Sequence, residues 1–126
     1  MTQFMLTRTS RNGFTIVELM IVVAVIGLLL ALAIPNFVKS RDAAQLNSVY
    51  NNLRMIETAK DQWAIENKKG TGEPTDLPTL SDYLKGGTIK SVVSEVYEVN
   101  VIGSPAYATH TVRLGTYLSS DPITVP

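Results

Sequence analysis

The chain has no cysteine and one histidine, His110. That excludes a disulfide framework and thiolate metal sites, and with a single imidazole it excludes a histidine-rich metal site as well. A nucleophile–histidine–acid constellation needs a base placed by two other groups, and here it would rest on coincidence. His110 reads instead as a solvent-facing residue on a strand. Charge of either sign is not in excess: 11 Lys and Arg balance 11 Asp and Glu, so no strong field recruits nucleic acid. Glycine-rich phosphate loops are lacking too, because Gly70-Thr71-Gly72 is followed by neither Gly-Lys-Ser/Thr nor a dinucleotide fingerprint. With 126 residues the chain holds one small domain and little else. No catalytic residue, metal ligand or cofactor is expected, and the protein does not read as an enzyme.

What is present is one long apolar run. From Leu19 to Ile34 no residue carries a charge or a polar side chain, and residues 14–38 are interrupted only by Thr15, Glu18, Pro35 and Asn36. A bilayer core needs about 20 such residues in a helix, so residues 14–38 are read as a membrane-spanning helix. Before it, residues 1–13 contain Arg8 and Arg11 and no acid, which favours a cytoplasmic N-terminus. Lys39 and Arg41 after the run weaken that contrast.

Three readings compete for this segment. A secretory signal would be cut after Ala31-Leu32-Ala33, leaving Ile34 first, and a plain signal anchor would stay uncut. Neither accounts for Glu18, an acid just inside an apolar helix, where at the centre of a span it would cost ~2.5–3.5 kcal/mol. Nearer the end the cost is smaller, and such an acid either tilts to the headgroups or awaits a cation. Cleavage after Gly13 would create one, the amine of Phe14, on the same or a neighbouring chain.

Gly13-Phe14-Thr15-Ile16-Val17-Glu18-Leu19 and the run behind it resemble the class III signal of type IV pilins and type II secretion pseudopilins. The resemblance is close over residues 8–40 and thins to general layout beyond about residue 68. It implies a prepilin: a membrane prepilin peptidase would cut the leader 1–13 after Gly13 and N-methylate Phe14. Glu18 would neutralise the amine of an adjacent subunit during assembly. Gly27 and Pro35 match the positions between which family helices unwind or kink, and the background frequency of glycine and proline in membrane helices competes with that assignment. The implied partners are further copies in a filament, related pseudopilins, the peptidase and an inner-membrane assembly platform. The implied placement is single-pass in a bacterial inner membrane, with the C-terminal head periplasmic.

After Pro35 the pattern turns amphipathic. Leu46, Val49, Leu53, Ile56 and Trp63 make a stripe at spacings of 3, 4, 3 and 7, with Lys60 at the missing position. It reads as the face that packs the head, on residues 39–69 that continue the helix to near Lys68, stopped at Gly70. Such a helix would be roughly 80 Å long at 1.5 Å per residue. Residues 70–126 would supply a loop and a small antiparallel sheet. One strand is expected from Ser91 to Ile102, a second over Ala106–Leu114 and a short pairing at Thr116–Leu118, with the tail from Ser119 along the surface. Glu95 and Glu98 fall on opposite faces of an ideal strand and form no acid–base pair. Asp76, Asp82 and Asp121 offer oxygen ligands of the kind calcium accepts, and calcium occurs in the loops of some pseudopilins, but no compact ligand motif is present.

The expected fold is therefore α+β and pilin-like. The expected function is structural: a filament subunit, of a type II secretion pseudopilin in preference to a pilus pilin for adhesion, motility or DNA uptake. The rival is a monomeric secreted or membrane-anchored binding domain.

Overall fold

The computed structural model describes residues 13–111 and 113–125. The segment up to Asn12, with Arg8 and Arg11 and most of the expected leader, lies outside the described residues, as do Val112 and Pro126. The architecture is α+β: α1 (Ile16–Glu66), a 3-10 turn (Ser81–Tyr83), and β1 (Val96–Glu98), β2 (Tyr107–Thr109) and β3 (Ile123–Thr124). The chain divides into two compact units, the first ending at Asn36 and the second starting at Phe37.

In the first unit, α1 carries the apolar run, a stretch long and apolar enough to cross a membrane, with none of it buried in the chain. Pro35 lies inside this helix. It has no N–H to give the carbonyl of Ala31, a local weak point of the ladder.

The second unit is the head. Its core is built where α1 residues Val49, Leu53, Ile56 and Ala59 meet Leu80, Leu84, Tyr97, Val99, Ala106, Ala108, Leu114 and Ile123, with Leu46, Tyr50 and Trp63 packed half-buried at the margin. The helix stops earlier than Gly70. Lys68 takes a left-handed φ of 51°, and the Lys69 and Lys68 N–H groups donate back to the Ala64 and Ile65 carbonyls at 2.8 and 3.4 Å. This is a Schellman closure with lysine where glycine is usual.

The sheet is antiparallel in the order β1-β2-β3, with Tyr97 opposite Ala108 and Ala108 opposite Ile123. Its strands are far shorter than the β-formers from Ser91 to Leu114 suggest. Left-handed Ser94 and Asn100, at φ 62° and 60°, bound the first strand on both sides. The expected pairing at Thr116–Leu118 is reduced to one bridge, Leu114 to Tyr117. The tail is corrected as well: Ile123 is fully buried and completes the sheet, because its side chain fills the core beside Ala108.

Two polar networks tie α1 to the head. Asn52 Nδ2 on α1 donates to the Tyr97 hydroxyl at 2.8 Å and to the Lys90 carbonyl at 3.0 Å. The Tyr97 hydroxyl in turn donates to Glu95 Oε1 at 2.5 Å. The Glu95 carboxylate also accepts the N–H of Val92 at 2.8 Å and of Val93 at 2.7 Å, so it folds the preceding residues back on themselves and ends the strand there. In the second network, Glu57 Oε1 accepts the Ala106 N–H at 2.5 Å. Lys60, the gap in the apolar stripe, is buried, and its ammonium donates to the Ser104 carbonyl at 2.6 Å and to Glu57 at 3.3 Å.

Burial would raise the Glu95 carboxyl, but the Tyr97 hydroxyl and the Val93 and Val92 amides outweigh it and hold the group below its usual value of 4.5. Burial, and then the Glu95 hydrogen bond, raise the Tyr97 hydroxyl, which keeps it a donor at neutral pH. A depressed carboxylate stabilises the fold above its unfolded value and loses that contribution as pH falls through its folded one. Glu95→Gln should cost the head about 1–3 kcal/mol near neutral pH, the range for stranding buried donors. Chemical denaturation of the detergent-solubilised chain should show the parent losing stability faster than the variant as pH drops below 4.5. Equal pH slopes would remove Glu95 from this role.

Candidate assembly site on the N-terminal helix

Gly13, Phe14 and Thr15 precede the helix and are not helical. Thr15 ends it from that side: its Oγ1 accepts the Glu18 N–H at 3.2 Å, and its carbonyl accepts the Leu19 N–H at 3.3 Å. Thr15 is thus the N-cap and Glu18 the third helical residue. This is the Thr-x-x-Glu spacing of a capping box, a signal that sequence inspection focused on Glu18 alone overlooks. The first turn also carries the positive end of the helix dipole, where an acid gains about 0.3–1 kcal/mol. Glu18 therefore has a local reason to be there apart from any partner.

Phe14 and Ile16 are 77% and 78% exposed, and apolar exposure continues to Phe37 and Val38. Gly27 has nothing within 4 Å of where a Cβ would lie, so no contact among the described residues requires glycine there. At the Gly13–Phe14 junction, no described residue lies within 4 Å of a Cβ built on Gly13. The surface from Phe14 to Val38 offers no reacting group. It can bury apolar area, present one acid near its end, and expose one peptide bond on non-helical backbone.

The remaining sequence-selected residues lie in the head. Val49, Leu53 and Ile56 are fully buried, and Leu46 and Trp63 sit at the core's edge. His110 does not face solvent. It is 2% exposed, neither ring nitrogen has a hydrogen-bond partner, and its ring meets Tyr117 edge-on at 6.5 Å. It is buried because the segment from Leu114 to Ser120 folds over it, Ser120 N–H donating to its carbonyl at 2.8 Å. Asp76 accepts both the backbone and the hydroxyl of Thr79, which lower its carboxyl below the usual range, and Asp121 accepts the Leu118 N–H at 3.0 Å. Among the described residues no three His, Cys, Asp or Glu side chains gather as metal ligands do.

Comparison with known proteins bears on the same segment. Residues 8–34 match the prokaryotic N-terminal methylation motif. The chain is similar to the type IV major pilin protein PilA of Myxococcus xanthus, 46% identical over 55 residues, which are 44% of this chain and 25% of the relative. It is similar to the type II secretion system core protein G of Klebsiella michiganensis, 32% identical over 62 residues, 49% of this chain and 44% of the relative. With core protein G of Escherichia coli it shares 27% identity over 95 residues, 68% of this chain and 66% of the relative. The chain thus spans a quarter to about two thirds of the length of these relatives. No solved structure matches it.

Thr15→Ala should cost the first turn about 1 kcal/mol, the usual value of a lost N-cap. Amide exchange in detergent should speed up at Glu18 and Leu19 in this variant and stay near the parent rate in Thr15→Ser. Unchanged protection in the alanine variant would remove the cap.

Proposed function

We propose that this chain, which carries the N-terminal methylation motif and is similar to type IV pilins and to type II secretion core protein G, is a structural subunit of a pilin-like filament, and specifically a secretion pseudopilin. The observation that carries the reading is the apolar helix left wholly uncovered behind a methylation motif. A chain with such a helix is membrane-anchored, and the same surface serves subunit packing once the helix leaves the bilayer.

In this reading a prepilin peptidase cuts the exposed Gly13–Phe14 bond and methylates the Phe14 amine. Removing residues 1–13 takes Arg8 and Arg11 and leaves 9 basic against 11 acidic side chains, so the mature subunit is mildly acidic and has no electrostatic case for nucleic acid. The anchored subunit spans a bacterial inner membrane once, head outward, beside an assembly platform that extracts it. Glu18 of the incoming subunit then meets the Phe14 amine of a neighbour, which offsets the cost of holding both charges among apolar side chains. Gly27 and Pro35 give the packed helix its places to bend. The head residues Leu46, Val49, Leu53, Ile56 and Trp63 hold α1 to the sheet while load passes along it.

The pseudopilin is preferred because the similarity to core protein G covers 68% of this chain, whereas that to the Myxococcus pilin covers 44%. A pilus pilin is the second reading, favoured by the higher identity of that shorter match.

Mass spectrometry of the chain from native membranes should find N-methylated Phe14 first. A start at Ile34 would identify Ala31-Leu32-Ala33 as a secretory cut and end the filament reading. Two substitutions then separate the roles open to Glu18. Glu18→Gln keeps a side chain able to complete the capping box but has no charge, and Glu18→Ala has neither. Both should be processed and neither should assemble. Filaments from the glutamine variant alone would reduce Glu18 to a helix cap, and filaments from both would sink the pairing.

A further inference from the structure

Directly after the apolar run, α1 carries Lys39, Arg41 and Asp42. Within the head, the segment following β2 brings Arg113 against them. Arg41, Asp42 and Arg113 line one cleft of about 270 Å³, walled by Val92 and Val93. Lys39, Asp42 and Arg113 line a second of about 550 Å³. Three cations thus gather around one acid, and among the described residues the ion pairs are Lys60–Glu57 and Lys69–Glu73, neither involving this group. Like charges held together by a fold repel, and an anion in the groove would offset that.

We propose that this groove binds the phosphate of anionic lipid headgroups while the subunit is anchored. The inference rests on the membrane-anchored reading above. Lipid is favoured over an acidic side chain of a second copy for two reasons. Val38 ends the apolar run immediately before Lys39, so Lys39 and Arg41 follow the hydrocarbon boundary within about 5 Å of helix, the depth of the headgroup layer. The wall beside the arginines is apolar, with Val92 still 40% exposed, which suits the glycerol and upper acyl region next to a phosphate and would be wasted on a carboxylate.

Because the chain has no cysteine, Thr116→Cys, on the rim of the larger cleft, gives a unique dye site. The full chain would be reconstituted into vesicles of phosphatidylcholine alone or mixed with phosphatidylglycerol, each containing headgroup-spin-labelled lipid. Dye quenching should be stronger with phosphatidylglycerol and weaken with added salt. The double variant Arg41→Gln/Arg113→Gln, checked for native circular dichroism, should lower the association about fivefold per charge removed. Equal quenching in both lipids, or none of it lost in the double variant, overturns the groove. Quenching that tracks the protein-to-lipid ratio and ignores lipid charge also overturns it, in favour of a second copy. Co-flotation after carbonate washing separates the premise: loss of the chain from the vesicles overturns anchoring itself, while retention without lipid-charge dependence overturns the groove alone.

Discussion

The apolar surface from Phe14 to Val38 is exposed among the described residues. Seventeen large hydrophobic side chains in that stretch are exposed, and fully burying each is worth about 1.5–3 kcal/mol. The sum is tens of kcal/mol, larger than the 5–15 kcal/mol that usually separates a folded domain from its unfolded state. Such a helix gains most by being covered, and lipid or other helices are the surfaces able to cover it. The features around it follow from that constraint. Its N-terminal end needs a defined start, which Thr15 provides, and its one acid sits within that first turn, where the helix dipole lessens the cost of charge.

The head solves a different problem. Its strands are only two or three residues long, too short for ladder hydrogen bonds alone to fix the sheet on α1. Side chains of α1 take over that work. Asn52 reaches Tyr97 and, through it, Glu95. Glu57 and Lys60 grip the backbone on either side of Pro105, at Ser104 and Ala106. Each network satisfies groups whose burial would otherwise cost ~1–3 kcal/mol apiece. Gly103 adds a steric constraint: at φ 86° it passes the Thr71 side chain so closely that a Cβ would lie 2.6 Å from Thr71 Cγ2. There Gly72 N–H donates to the Ile102 carbonyl and Ile102 N–H to the Glu73 carbonyl, at 2.8 and 2.9 Å.

The helix was legible in the sequence, as was the α+β class, because both depend on long-range patterning that a few misplaced residues do not alter. The strands were less so. Val92 and Val93 have high strand propensity, yet the Glu95 carboxylate captures their amides, and a side chain two or three residues on cannot be weighed by composition. Lys60 read as a gap because charge is normally solvated, and only the fold brings the Ser104 carbonyl to it. His110 and Ile123 were misplaced for a common reason: both lie in segments with turn-forming neighbours, and their burial depends on Leu114–Ser120 and the tail closing over the sheet. Thr15 was within reach, since its spacing to Glu18 is a recognised start signal.

The place of Glu18 in the helix start and the pairing proposed for it look like rival demands, yet one residue can meet both. A capping acid is useful only while the helix begins at Ile16, and a carboxylate that pairs with an amine is useful only if it is held at a fixed place. The cap supplies that place. With Thr15 bound to the Glu18 amide, the first turn is fixed and the carboxylate leaves it at a defined height, one turn inside the end of the apolar surface. An acid deeper in the helix would cost more to bury, and one outside it would be solvated and gain little from a partner. The position that a helix start tolerates best is also the position from which a charge, once covered by apolar neighbours, most needs a counter-ion.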